Sequence, residues 1–271
     1  MKERLAEWLA ERLVSFFQAS ALVLVGLSIV VPVSFVFFFA FNDVERGMIW
    51  QGFSLRWVLE IFQDRESMAA LGNSFTVALS LTASSLLLGS AAVFGLLGVS
   101  AERRRLVTVV LLTGLITPDI ALALSQARFF QVLHIPPGLF SVVAGQLPYA
   151  TAYFAVFLLA ISATHPIEKS IRAAVDLGAT PFQVYRSVFL PLTRPAWLAA
   201  SGFVFALSFQ DFIYAFHLGG SGNSTLAVRI FSMLRRGISP GINMLFLLIL
   251  LVVLGGLTLF YKTELKKGRT P

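Results

Sequence analysis

Thr164-His-Pro-Ile-Glu-Lys-Ser-Ile-Arg-Ala-Ala-Val-Asp-Leu-Gly-Ala-Thr-Pro-Phe-Gln-Val-Tyr-Arg-Ser-Val-Phe-Leu-Pro-Leu-Thr-Arg-Pro195 is a basic, helix-forming segment between two strongly apolar runs. Two helices joined at a glycine are legible in it. Thr164 can cap the first, Pro166 suits its first turn, and Gly178 is the expected left-handed stop. Thr180 and Pro181 repeat the start signal, and Pro191 is expected to end the second helix. Ile167, Ile171, Ala174, Val175 and Gly178 share one side by helical spacing. Glu168, Arg172 and Asp176 follow at four-residue steps and can form a charged ladder. The small pair Ala173-Ala174 offers a narrow surface for a groove on another protein, but the same spacing also suits a plain connector.

The composition around this segment is that of a membrane protein. Hydrophobic residues make up 57% of the 271 and charged ones 13%, against about 45–50% and about 25% in soluble domains. With 26 Phe, the surplus exceeds one soluble core and points to several spans. The net charge of +7 does not indicate nucleic acid, because the basic residues cluster beside apolar runs as orientation signals do. Without cysteine, disulfide and thiol chemistry are excluded.

Six spans are expected in an all-α fold: Ala19–Phe41, Met68–Val99, Leu106 to about Ala127, Phe140–Ser162, Pro195 to about Phe216, and Ile242–Tyr261. The third is expected to be interrupted at Thr117-Pro118-Asp119 and the fourth at Gln146-Leu147-Pro148-Tyr149. Residues 1–18 read as an amphipathic helix on the membrane surface, 19–262 as the transmembrane domain and 263–271 as a cytosolic tail. Ser54 can cap a short helix through about Phe62, near the interfacial residues Trp50 and Trp57. With both termini inside, fourteen of the 21 Lys and Arg fall on the cytosolic side, including Arg103, Arg104 and Arg105. This places the 164–195 segment in the cytosol.

Polar groups within the spans are few. Asp119 and Asp211 are each costly there, by roughly 2.5–3.5 kcal/mol on a helix. Each has two readings: it lines a pathway, or it serves structure, as an acid reaching the interface would. Gln146, Tyr149, Ser208, Gln210 and Tyr214 are further pathway candidates, with packing as the alternative for the aromatics. Catalytic patterns are thin. His134, His165 and His217 are far apart in sequence with ordinary neighbours, and no metal-ligand spacing is present. No Gly-Lys-Ser/Thr phosphate loop and no Gly-x-Ser-x-Gly occurs. Gly219-Gly220-Ser221-Gly222 reads as a flexible outer turn.

Ala173-Ala174, three residues, Gly178, nine residues, Val188, one residue and Leu190-Pro191 resemble the Glu-Ala-Ala loop of ABC importer permeases. Leu71 through Ala78, Pro118-Asp119-Ile120, Leu147-Pro148-Tyr149, Asp176 through Ala179 and Ser208 through Phe212 occur in that family's order. The stretches Ser224–Met233 and Arg236–Asn243 are similar to the second permease of spermidine/putrescine-type importers. The resemblance implies a bacterial inner-membrane, binding-protein-dependent permease with six transmembrane helices and a cytosolic coupling-helix loop. Arg172, Ala173, Ala174, Asp176, Gly178, Val188, Leu190 and Pro191 then form the contact with the ATPase. It also implies a second, paralogous permease subunit, two ATPases that carry ATP and Mg, and an extracytoplasmic solute-binding protein, with no cofactor or catalytic residue on this chain. Three departures stand out. Arg172 replaces the acidic first residue of the loop, Gln210-Asp211 replaces two consecutive acids, and Ala227 replaces a proline. The same permease plan carries iron(III), thiamine or organophosphonates in related importers, so those substrates stay open beside a polyamine. A stand-alone channel or secondary carrier is the rival outside the class.

Overall fold

The computed structural model describes residues 2–47, 49–164 and 166–267. Its long helices follow from the apolar runs, which carry them through interior prolines at Pro32, Pro148 and Pro195. α1 (Lys2–Ala40), α2 (Arg56–Gln63), α3 (Arg65–Leu97), α4 (Ala101–Ile116), α5 (Asp119–Val132) and α6 (Leu139–Thr164) form the first part. α7 (Ile167–Asp176), α8 (Pro181–Val184), a π turn (Tyr185–Phe189), α9 (Leu190–Phe209), α10 (Ile213–Leu218), α11 (Leu226–Arg236) and α12 (Pro240–Lys267) follow.

Four of these helices are long and apolar enough to cross a membrane: Val14–Ala40, Arg65–Leu97, Leu139–Ser162 and Pro181–Phe209. The pair α4 and α5 is bent by 99° at its break and makes a fifth candidate if it counts as one span. α12 is apolar over Pro240–Gly255, a shorter stretch than the other four.

The chain forms two compact units. One comprises the residues up to Asp64 and those from Ser232 onward. There α1 packs on α12, and α2 also lies against α12. Ser54 is not the cap the sequence suggests: Leu55 holds that position without a side-chain bond, and Ser54 Oγ accepts the Arg56 N–H at 3.1 Å. Trp57 is buried within the protein, donating its Nε1–H to the Asn42 carbonyl at 2.9 Å. Asn42 is itself fully buried and ties the loop by bonds to the Ile49 carbonyl and the Gln51 N–H. Lys2 and the residues up to 18 are continuous with the first span in one helix. The expectation of an amphipathic face there falls largely on side chains outside the described set, as residues 268–271 of the tail do altogether.

The other unit, Arg65–Phe231, is built on α3, α6 and α9 packed together. The buried face of α3 is rich in small residues: Ala70, Ser74, Ala78, Ser85, Gly89 and Ser90. Small side chains let apolar helices approach closely where no hydrophobic drive separates helix from lipid. Gly89 shows the limit, since a Cβ there would lie 2.9 Å from Phe154 Cβ. Ser85 donates to Thr82 O and Ser90 to Leu87 O on their own helix, while Ser74 Oγ accepts the Leu226 N–H at 2.8 Å.

Two sequence expectations are corrected in this unit and a third is borne out. Helix α6 is not interrupted at Gln146–Tyr149 but runs through Pro148. A buried helix loses one N–H bond at proline, and packing on α3 and α9 holds the rest. The third span, by contrast, is interrupted where the sequence suggests: Thr117 and Pro118 leave the helix and redirect the chain. Pro191 does not end its helix either. The Leu190 N–H reaches back five residues to Tyr185 O, and this widened turn admits a pyrrolidine ring that a regular turn would reject. The second helix of the 164–195 segment and the fifth apolar run are therefore one continuous helical rod from Pro181 to Phe209.

Candidate functional site

At the 164–195 segment, Pro166 precedes α7 and Thr164 closes α6, so Thr164 belongs to the preceding helix rather than starting the next one. His165 lies outside the described residues. Gly178 adopts φ +83°. Its N–H reaches Val175 O at 2.9 Å while the Ala179 N–H reaches Ala174 O at 3.0 Å, a Schellman stop. Thr180 and Gln183 form a reciprocal capping box that starts α8. Ile167 is buried and Ile171 and Ala174 are half-buried, whereas Ala173 and Gly178 are open. Val175 is 54% exposed, Leu177 89% and Phe182 70%. The apolar face predicted from spacing is thus split, and Val175 belongs to the outer side with Leu177.

The charged ladder is incomplete. Glu168 pairs with Arg172 at 3.8 Å and more closely with Arg104 at the start of α4. No ion pair joins Asp176 among the described residues. Arg104 was legible in sequence only as an orientation signal. Val188 and Leu190 are half-buried and Pro191 is exposed. The π turn between them rests on α3. Tyr185 Oη and Ser90 Oγ are 2.9 Å apart, and the Phe94 ring lies 5.3 Å from Tyr185 and 5.4 Å from Phe189.

The pathway candidates, scattered over almost a hundred positions, converge where α9 breaks. Gln146 on α6 is fully buried, accepts the Ser208 hydroxyl at 2.7 Å and donates to Asp211 Oδ2 at 2.8 Å. The same oxygen accepts the N–H groups of Tyr214 at 3.1 Å and Ala215 at 3.2 Å. One carboxylate oxygen thus caps α10 and anchors it to α6. A pocket of about 320 Å³ opens beside it, lined by Asp119, Tyr149, Tyr153, Gln210 and Asp211 with Gly114, Leu115, Leu207, Phe212 and Ile213.

The seven candidates therefore divide by position. Asp119, Tyr149, Gln210 and Asp211 line the pocket, while Gln146, Ser208 and Tyr214 support it from behind. The two readings of each aspartate also combine. Asp119 is the first residue of α5, where its charge complements the helix dipole, and it faces the pocket as well. Tyr153 was missed, although its place one turn after Tyr149 puts both on one helix face. The pocket lining holds two acids and no basic residue.

A second pocket of about 440 Å³ lies at the other end of α5 and α10, lined by Ala127, Phe130, Gln131, His134, Ile135, Pro136, Pro137, Ser141, His217 and Leu218. Two histidines that looked unrelated in sequence share it. The Gly220 and Gly222 backbones next to it take φ +69° and +86°, as a tight turn requires.

No family model matches the chain. Among curated proteins it is 31% identical over 227 residues to the putrescine transport system permease protein PotI of Escherichia coli (strain K12), covering 81% of this chain and 80% of PotI. It is 27% identical over 224 residues to the spermidine/putrescine transport system permease protein PotC of the same strain, covering 83% and 84%. Among solved structures, a bacterial ABC transporter for import of the acidic polysaccharide alginate matches with TM-score 0.66 at 13% identity, over 97% of this chain and 98% of that one. The MetNI methionine ABC transporter matches with TM-score 0.57 at 23% identity, over 77% and 100%.

Proposed function

The chain belongs to the ABC transporter permease family, and from that premise we propose that it carries a polyamine such as putrescine or spermidine inward in an ATP-driven importer. The observation that carries the substrate is the 31% identity to a putrescine permease over most of both chains. The chemistry of the first pocket supports it. Asp119 and Asp211 supply negative charge, and Tyr149 and Tyr153 supply ring faces that attract alkylammonium groups. Gln210 in place of a second adjacent acid lowers the charge but leaves an acceptor.

In this reading the protein has six spans, α12 included, with both termini in the cytosol of a bacterial inner membrane. A second permease subunit, two ATPases that bind ATP and Mg, and an extracytoplasmic binding protein complete the importer. Hydrolysis belongs to the ATPases. The exposed Val175, Leu177 and Phe182 around the Gly178 turn, with Ala173 and Ala174, give the ATPase an apolar knob to grip. Motion there passes along the Pro181–Phe209 rod to the break at Gln210–Phe212. It also passes through Glu168 and Arg104 into α4, whose far end lines the pocket at Gly114 and Leu115.

Uptake of radiolabelled putrescine by the reconstituted complex tests this reading. Asp211→Asn keeps an acceptor oxygen for the α10 N–H groups but removes the charge. We expect assembly to persist while uptake falls about tenfold, the effect of losing roughly 1.4 kcal/mol of interaction. Uptake equal to the parent at equal membrane abundance would remove Asp211 from the pathway. Failure of the unmodified complex to take up either polyamine would remove the substrate.

A further inference from the structure

Helices α1 and α12 leave a trough between them, toward the end of the pair remote from both chain termini. Pro32, Val36 and Phe37 of α1 and Phe246, Leu250 and Val253 of α12 line it, its walls are wholly apolar, and its volume is about 380 Å³. At 1.5 Å per residue, the lining begins roughly 4 Å below the end of α1, at Phe37, and reaches roughly 20 Å below the start of α12, at Val253. That is about the depth of one leaflet, since the hydrocarbon core of a bilayer is about 30 Å thick. Spread over about 15 Å of length, this volume leaves a section of about 25 Å². A helix with its side chains is about 10–12 Å across and needs at least three times that section. The trough admits a single hydrocarbon chain and no helix.

The same end of the pair carries an excess of positive charge. The loop after α1 presents Arg46, whose Cδ lies 3.9 Å from where a Cβ on Gly237 would stand. Gly237 directly follows Arg235 and Arg236, the last two residues of α11. The Gly47 N–H donates to the Ile238 carbonyl at 2.9 Å and the Asp43 N–H to the Gly52 carbonyl at 2.9 Å, so the loop is held in place. Residues 41–47 and 232–240 contain three arginines and two acids, and one of those acids, Asp43, faces Arg56 at 3.9 Å. Arg46 and Arg236 are exposed, and no ion pair joins either among the described residues. The dipole of α11 favours a cation at Arg236, a reason that does not extend to Arg46 on its loop.

We propose that this end of the α1–α12 pair binds an anionic phospholipid, with one acyl chain in the trough and the phosphate held by Arg46 and Arg236. A neutral lipid would fill the trough and leave the arginines unused. A free phosphate would meet the arginines and leave the trough empty. An anionic amphiphile uses both, and each guanidinium fork can present paired N–H groups to phosphate oxygens. The site rests on α12 being a span, as read above, and is independent of the substrate.

Native mass spectrometry of the purified importer reads the site, with dioleoyl phosphatidylglycerol and dioleoyl phosphatidylcholine as the two probes. Phosphatidylglycerol is expected to stay bound at concentrations where phosphatidylcholine is lost. Arg46→Gln combined with Arg236→Gln, both at exposed positions, should weaken phosphatidylglycerol retention by roughly fivefold per arginine and leave phosphatidylcholine unchanged. Val36→Trp fills the trough and should lower retention of both lipids. Equal retention of the two lipids by the parent, or no change in the arginine variant, overturns the proposal. The arginine variant decides the matter even if Val36→Trp fails to assemble. Release of the second permease by Val36→Trp with no lipid lost gives the trough to a protein helix and also overturns it. Because the chain has no native cysteine, thiol labelling of Glu45→Cys and Thr263→Cys checks the span separately. Opposite-side labelling upholds it, and same-side labelling removes the span and the leaflet site with it. Putrescine uptake is read in parallel: its absence beside arginine-dependent retention defeats the substrate assignment and leaves the lipid site standing.

Discussion

Helices α5 and α7 end in the same hydrogen-bond pattern with different residues at the turn. At the end of α7, Gly178 holds φ +83°, and bonds run from Gly178 to Val175 and from Ala179 to Ala174. At the end of α5, His134 holds φ +56°, and bonds run from His134 to Gln131 and from Ile135 to Phe130. The left-handed conformation costs a residue with a β-carbon about 1–2 kcal/mol, although histidine visits it more often than most. The α7 end avoids that cost and the α5 end accepts it. Gly178 has nothing within 4 Å of where a Cβ would stand, so its identity is explained by backbone conformation alone. His134 is explained by its side chain, which walls the second pocket. One turn is built to redirect a helix, the other to hold an imidazole in place.

The comparison is most exposed at Gly178. A branched residue there should be worst, so Gly178→Val is expected to cost about 2 kcal/mol locally and to abolish substrate-stimulated ATPase activity in the reconstituted importer. Normal stimulation with the ATPase retained would mean that the turn is only a connector. Next in size is Thr180→Ala, which removes the capping box that starts α8 just past the turn. It should cost about 1 kcal/mol and weaken stimulation without abolishing it, and full stimulation would show that Gly178 alone directs the rod.

His134→Gly should have the opposite sign in stability. Relief of the left-handed cost, partly offset by the extra freedom of glycine in the unfolded chain, leaves a gain under about 1 kcal/mol. Uptake should fall at the same time, because the pocket loses a wall. Thermal unfolding of the purified complex decides it: a clear loss of stability would show that the imidazole holds the helix end together. The smallest effect is expected from Arg172→Ala. Its partner Glu168 is 3.8 Å away, the Arg172 side chain is 79% exposed, and Arg104 keeps Glu168 paired. A change of less than about 0.5 kcal/mol and near-normal coupling should result. A large coupling defect would instead place Arg172 in the ATPase contact, as the family position implies.

What could be read in advance depended on range. The Gly178 stop and the Thr180 start involve partners three to five residues apart, and the residues that make them are their own signal. The helix end at His134 is just as local but carries no glycine, so nothing in the sequence announced it. At the candidate site the polar residues stood out because acids and amides are rare in apolar runs. Their grouping did not, because Gln146 lies 65 residues from Asp211 and 62 from Ser208.

The sequence by itself determined that the chain is an all-α membrane protein of the importer-permease family. It also determined that a basic helix-turn-helix with a glycine stop interrupts the apolar runs, and which polar residues those runs tolerate. Apolar periodicity, caps and composition act along the chain and suffice for the fold class and the segment, while the family rests on the motifs that resemble it. Only the tertiary structure decided whether each proline breaks its helix. Pro118 lies at a sharp bend, Pro148 is carried through, and Pro191 follows a π turn that Ser90 and Phe94 support from α3. The loss of one N–H is the same at all three, but what surrounds it differs. The same holds for the pairing of Arg104 with Glu168, the shared pocket of His134 and His217, and the close approach of α5 and α10 to α6 at Gly145. Each arises where separate helices approach within a side chain's reach, and that approach is set by packing the small-residue faces of α3, α6 and α9 rather than by any local preference.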